Sequence, residues 1–546
     1  DHMKRLMSFS LLMSLSLAVL AGPGQLVSNP ANLTSKEYTN PVIHADYSDP
    51  DAVATPDGKT FYMTASSFSD APGLPILKSN DLVNWTLVNY ALDAVPPTEY
   101  YDAAPRHGKG VWAPCIRYHD GEYYIYWGDP DFGIYMIKTS DPEGSWSEPL
   151  LVKGGRGMID PSPFWDEDGK AYLSNGWAAS RAGFNSILTL SEMTPDGTKV
   201  ISQPRIIFDG NDGVNHTVEG TKMYRKGEYY YLFAPAGGVA TGWQLVMRSK
   251  NIYGPYESKI VMTQGDTDIN GPHQGAWVSA PDGSDWFLHF QDKAAYGRVI
   301  HLNPITWVDG WPVIGIDKDG DGCGNPVKKY KKPILAKADK SEDTPMLYQW
   351  HANYRDMYGF PSDNAMMRLY GHRVSKDFVN MWEVPNLWLQ KFPAEQFSMT
   401  SKVRISAKSS SEGVSSGIIV MGWDYARLGL EKTGDKFEIQ FISCTDAEQG
   451  GREVVNDLGS IAPTRTYAAG NYPNLECDIW LKVNVAKGGI CTFAYSTDGK
   501  KYTVAGKFTA RAGKWIGAKI GFYSITPDNI ADRGWIDVIS SDTVIQ

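Results

Sequence analysis

The chain has 546 residues, a net charge of −10 and a hydrophobic content of 42%, enough for more than one core and for two or three domains. An acidic chain argues against a nucleic-acid partner, because phosphate binding needs a clustered basic surface. The longest basic block is Lys328-Lys329-Tyr330-Lys331-Lys332, which follows a Gly/Asp-rich loop and reads as a solvated connector.

In chain order, Asp1-His2 ahead of Met3 reads as a cloning scar. Lys4 and Arg5, the mostly apolar Leu6 to Leu20, and Val19-Leu20-Ala21 before Gly22 then read as a signal peptide. Residues 1–22 are therefore set aside, and a secreted or periplasmic location is expected. No later apolar stretch is long enough to span a bilayer.

Residues 37–335 carry a repeat. Pro56-Asp57-Gly58, His119-Asp120-Gly121, Glu167-Asp168-Gly169, Arg225-Lys226-Gly227 and Pro281-Asp282-Gly283 each end a turn. Each is followed by an aromatic-rich run: Phe61-Tyr62-Met63-Thr64, Tyr123-Tyr124-Ile125-Tyr126, Ala171-Tyr172-Leu173-Ser174, Tyr229-Tyr230-Tyr231-Leu232 and Trp286-Phe287-Leu288-His289. A Gly-ended turn between strand-like runs signals a hairpin. The glycines recur at 48 to 63 residues, the length of a four-stranded blade. Five units predict a five-bladed β-propeller; a sandwich with regular hairpins is the alternative.

Ala336 to Pro345 is charged and reads as a linker. Beyond it, residues 346–546 alternate with period two, as in Met399-Thr400-Ser401-Lys402-Val403-Arg404-Ile405 and Ile479-Trp480-Leu481-Lys482-Val483-Asn484-Val485. That pattern predicts a β-sandwich accessory domain and an all-β chain. Cysteine is uninformative: five residues leave at least one unpaired or paired between chains, and Cys444, Cys477 and Cys491 suit either one disulfide or buried thiols. Asp317-Lys318-Asp319-Gly320-Asp321-Gly322 resembles the start of an EF-hand loop, but Lys328 stands at its twelfth position, so it reads as a polar turn.

The chemistry emerges when the blades are aligned on their turn glycines. Asp49, Trp112 and Asp160 each lie nine residues before a turn glycine, Glu219 lies eight before, and His273-Gln274 lie ten and nine before. Inner strands of a propeller line its axis, so these residues are expected to meet in one pocket. An Asp-Pro step belongs at a strand start facing a cavity, because proline lacks a ladder N–H. Two opposed carboxyl groups suffice for glycoside hydrolysis, and a third raises the acid's pKa by repulsion.

At these residues the chain resembles glycoside hydrolase family 43. The matching blocks are Tyr47-Ser48-Asp49-Pro50-Asp51, Val111-Trp112-Ala113-Pro114, the run from Asp160 to Gly169, Val218-Glu219-Gly220, and the run from Tyr296 to Leu302. The resemblance implies a five-bladed propeller with an inverting mechanism, and a lectin-like jelly-roll sandwich attached to it. It implies Asp49 as general base, Glu219 as general acid and Asp160 as the residue that tunes the acid. Trp112 would form the sugar platform, and Arg298 would bind hydroxyls or hold an acid, where a surface ion pair is the plain alternative. His273 would be substrate-binding and matches an axial histidine that holds a metal or its waters in some relatives, or else it is a core histidine. No cofactor is expected to be required, although a structural calcium near His273 is compatible with that match. The resulting expectation is an exo-acting α-L-arabinofuranosidase, with β-D-xylosidase activity as an addition or an alternative. Its partner would be a plant cell-wall polysaccharide or oligosaccharide; a binding protein without turnover is the remaining alternative.

Overall fold

The computed structural model describes residues 24–337, 345–468 and 470–546. The signal-peptide reading and most of the linker lie outside these residues. The five turn glycines all adopt positive φ, and each turn joins two antiparallel strands. The first blade pairs Asp51–Ala54 with Phe61–Thr64, then Gly73–Ser79 and Thr86–Leu92, and adds Gln25–Leu26 at its edge. The other four blades have four strands each.

Both faces of a blade are covered, which explains the unbroken aromatic runs. Tyr123 and Ile125 pack toward the first blade with Tyr62 and Ile76, whereas Tyr124 and Tyr126 pack toward the third with Leu173 and Met193. Tyr230 and Tyr231 divide in the same way between the third and fifth blades. The ring closes where Ala276, Leu288 and Phe290 of the fifth blade meet Phe61, Met63 and Leu77 of the first.

The basic run near Lys329 corrects the connector reading. Lys329–Lys331 is a strand paired with Glu37–Thr39, and the buried Lys332 ammonium donates to the Asn32 carbonyl. A long side chain can bury its stem while its head finds a partner, so charge alone did not place this segment outside. The Asp317 loop is a turn, its carboxylate accepting from Gly320 and Gly322 N–H. All five cysteines are free, so no disulfide forms.

The second domain is a sandwich of two eight-stranded sheets. Phe397–Lys408 alternates buried and half-buried positions, with Met399, Val403 and Ile405 facing Ile418, Leu428 and Phe522 in the core. That core runs on into the propeller through Ala295, Tyr296 and Val299. Polar contacts reinforce the seam: Trp350 N–H donates to Ala71 O at 2.7 Å, and His107 stacks on Trp382 at 3.7 Å.

Candidate active site

Every inner strand enters the axis through one left-handed residue. These are Asp49 (φ 55°), Ala113 (35°), Asp160 (55°), Gly220 (61°) and Gln274 (53°). Ladder register breaks around three of them, between Trp112 and Cys115, Ile159 and Ser162, and His273 and Gly275. Such a bulge turns a side chain off the sheet face and toward the axis. Left-handed backbone costs a non-glycine residue about 1–2 kcal/mol, least for Asp, so its recurrence marks a site the fold holds on purpose.

This geometry refines the single-register reading. Asp49 and Asp160 occupy the left-handed position itself, whereas Trp112, Glu219 and His273 stand one residue earlier. Asp160 also lies inside the strand Met158–Trp165, at its bulge, and not at a strand start.

Asp49 is buried and held on one oxygen. Its Oδ2 accepts from Ser48 Oγ at 2.9 Å and Ser66 Oγ at 2.7 Å, with Arg298 Nη1 at 3.7 Å. Arg298 Nη1 donates to Ser48 Oγ at 2.6 Å, and Ala113 N–H to Ser66 Oγ at 2.7 Å. Arg298 therefore holds Asp49 as well as lining the pocket; it is no surface ion pair.

Asp160 Oδ2 accepts from Gly220 N–H at 2.7 Å. Burial, followed by the charge of Asp49, pushes Asp160 up to about 7, opposed by the Gly220 bond and the Lys222 charge. Burial, then the charges of Asp160 and Asp49, pushes Glu219 further, to about 8, with Arg298 opposing. A carboxyl that keeps its proton near neutrality beside two others is what an acid donor needs.

The three acids share a cavity of about 110 Å³ with Phe68, Trp112, Ala113, Ile159, Val239, Gln274, Arg298 and Trp515. Trp112 is edge-on to Phe68 and Trp515, and its indole N–H donates to Gly108 O at 2.9 Å. Trp515 comes from the sandwich, with φ 64°, and its ring also faces Arg298.

His273 lies where its core-histidine alternative puts it: it is buried and does not line the cavity, and Gln274 takes that place. Burial, then Arg298 and His289, hold His273 down to about 3, so its ring is neutral. Its neighbours include the Phe290 ring, the Gly242 backbone, the Gly271 backbone and His289. Among the described residues no group of three acidic, His or Cys side chains is placed to hold a metal.

Phe68, Val239 and Trp515 were not read from sequence. Phe68 and Val239 lie between the aligned strands, and Trp515 is a single aromatic in a loop of the other domain, so no periodicity marks them.

The model of glycosyl hydrolases family 43 matches residues 38–312, and that of the β-xylosidase C-terminal concanavalin A-like domain matches residues 340–539. The chain belongs to glycoside hydrolase family 43. A family protein of Xylanibacter ruminicola carrying a β-xylosidase name is 37% identical, over 89% of this chain and 85% of its own. A non-reducing end α-L-arabinofuranosidase of Bacteroides ovatus is 32% identical over 53% of this chain and 55% of its own. The structure of xylan β-1,4-xylosidase from Bacillus halodurans superposes with a TM-score of 0.77 at 19% identity, over 93% of this chain and all of that one, a likeness of fold. This family 43 chain is thus a two-domain glycosidase.

Proposed function

We propose that this glycosidase is an exo-acting, inverting β-D-xylosidase that removes terminal xylosyl units from plant hemicellulose fragments. The supporting observation is a small pocket with three carboxyl groups, walled on one side by Trp515 of the second domain. A pocket so walled suits a chain end better than a chain interior. Preference for xylose over the arabinose expected from sequence rests on relatives aligned along most of the chain. Those from Xylanibacter ruminicola and Formosa agariphila both carry β-xylosidase names, while the arabinofuranosidase aligns over about half.

In this reading Glu219 gives its proton to the leaving oxygen as the glycosidic bond breaks. Asp49 takes a proton from a water attacking the opposite face of the sugar. Ser48, Ser66 and Arg298 gather on Asp49 Oδ2, which leaves Oδ1 to accept from that water. Asp160, fixed by Gly220 N–H, holds the negative charge that keeps the proton on Glu219.

An α-L-arabinofuranosidase is the second reading, favoured by the Bacteroides ovatus relative. Assaying 4-nitrophenyl β-D-xyloside and α-L-arabinofuranoside side by side decides between them. A kcat/KM at least tenfold higher on the arabinoside overturns the proposal. A secreted or periplasmic place of action is part of the proposal and rests on residues 1–22 of the sequence.

A further inference from the structure

Two residues beyond each left-handed position lies a second ring on the axis: Asp51, Cys115, Ser162, Lys222 and Ala276, all buried. Its charges do not balance by themselves. Asp51 Oδ2 accepts from Ile116 N–H at 2.7 Å and from Arg117 Nη1 at 2.8 Å, so one cation already matches this carboxylate. Lys222 brings a second. Its Nζ stands 3.6 Å from Asp51 Oδ1, and neither atom has a hydrogen-bond partner among the described residues.

A surplus buried cation is costly unless another charge answers it. The catalytic layer supplies one through the strand that carries Lys222. Gly220 N–H bonds Asp160 Oδ2 two residues earlier, and Met223 N–H bonds Ser162 Oγ at 3.1 Å one residue later. The two strands are thereby fastened on both sides of Lys222, which places it one step along the strand pair from Asp160.

We propose that Lys222 is a positioning residue that directs the single proton of the Asp160–Glu219 pair to Glu219. The inference rests on Glu219 being the acid. The charges of Asp49 and Lys222 bear on Asp160 beside the Gly220 N–H that it accepts, whereas those of Asp160, Asp49 and Arg298 bear on Glu219. Lys222 therefore acts on one member of the pair, and its charge draws Asp160 down. Two coupled carboxyls titrate as a unit, so losing Lys222 changes which of them holds the last proton. The misplaced proton lowers the catalytic plateau and moves the acid limb of the pH profile upward.

Lys222→Met leaves Asp51 and Arg117 as a balanced pair, and Lys222→Gln keeps a polar but shorter and uncharged side chain. Both are to be assayed on a phenyl and a 2,4-dinitrophenyl pentoside, since the second leaving group departs without protonation. The expected result is a loss of roughly tenfold or more in kcat/KM on the phenyl substrate, and much less on the dinitrophenyl one. Carboxyl 13C resonances, followed through a pH titration, provide a readout independent of turnover: near pH 7 the proton should sit on Glu219 in the parent and on Asp160 in the variants. An unchanged proton location, an equal loss on both substrates, or loss of folding in both variants overturns the proposal. If the parent cleaves neither pentoside while the resonances still exchange roles, the substrate reading fails and the Lys222 inference stands.

Discussion

The Asp160 carboxylate accepts a 2.7 Å hydrogen bond from the N–H of Gly220, the residue that follows Glu219. In the proposed mechanism, the charge that keeps Glu219 protonated is therefore fixed to the backbone beside Glu219. Gly220 has φ 61°, and a Cβ there would lie 2.6 Å from Pro235 Cδ and 2.9 Å from Gln274 Cδ. Gly220→Ala adds left-handed strain of about 1–2 kcal/mol to that clash, displacing Glu219 and Asp160 together. We expect kcat to fall about 10²-fold or more, as for Asp160→Asn. A Gly220→Ala enzyme with parental kcat on an aryl xyloside contradicts this account.

The pH dependence follows from the raised pair. Glu219 is raised to about 8, so the descending limb of kcat/KM is expected near pH 8, where the pair gives up its last proton. Glu219→Gln should remove that limb and lower kcat by roughly 10²–10⁴-fold on poor leaving groups.

The same shift carries a stability consequence of definite sign. A carboxyl whose pKa is higher folded than unfolded makes the folded state bind more protons, so stability is lost as pH rises through the folded value. The parent should accordingly lose stability between about pH 4 and the folded value near 8. Glu219→Gln should melt higher than the parent at pH 8.5, with the difference closing toward pH 4. Thermal melts at the two pH values test it; a difference that widens toward acid refutes the assignment.

How far the sequence reached can be judged from particular residues. Tyr123 and Tyr124 bury opposite faces of one blade, and that two-sided burial made the aromatic runs visible as a repeat. Asp49 and Asp160 were legible because each holds the left-handed position at the same distance before its turn glycine. Glu219 shows its one-residue offset in the sequence as well, eight residues before its turn glycine, but only the structure shows that Gly220 holds the left-handed position in its place. Lys329–Lys331 was misread because a short strand paired only with Glu37–Thr39 needs no apolar signature of its own. Trp515 could not be read at all, for its role exists only once two domains are docked.

Trp515 offers a separable test of that docking. It is 48% exposed, left-handed, and joined to the pocket through Trp112 and Arg298. Trp515→Gly removes the ring while suiting the backbone. KM should rise about two- to tenfold, the range of about 0.5–1.5 kcal/mol for a ring contact, with no fall in melting temperature. An unchanged KM would place the ring outside the substrate's path.

Asp46 holds both sides of this arrangement. Its Oδ1 accepts from Arg298 N–H and its Oδ2 from Gly517 N–H, each at 2.9 Å. One buried carboxylate thus fixes the strand that carries Arg298 and the loop that carries Trp515. Asp46→Ala leaves two buried N–H groups unpaired, at about 1–3 kcal/mol each, so the melting temperature should drop while KM rises. Asp46→Asn keeps one acceptor and should fall between. If Asp46 acts on the substrate through Trp515, the KM effects of Asp46→Ala and Trp515→Gly will not add in a double-mutant cycle. Full additivity would mean that Asp46 holds the seam but does not place the ring.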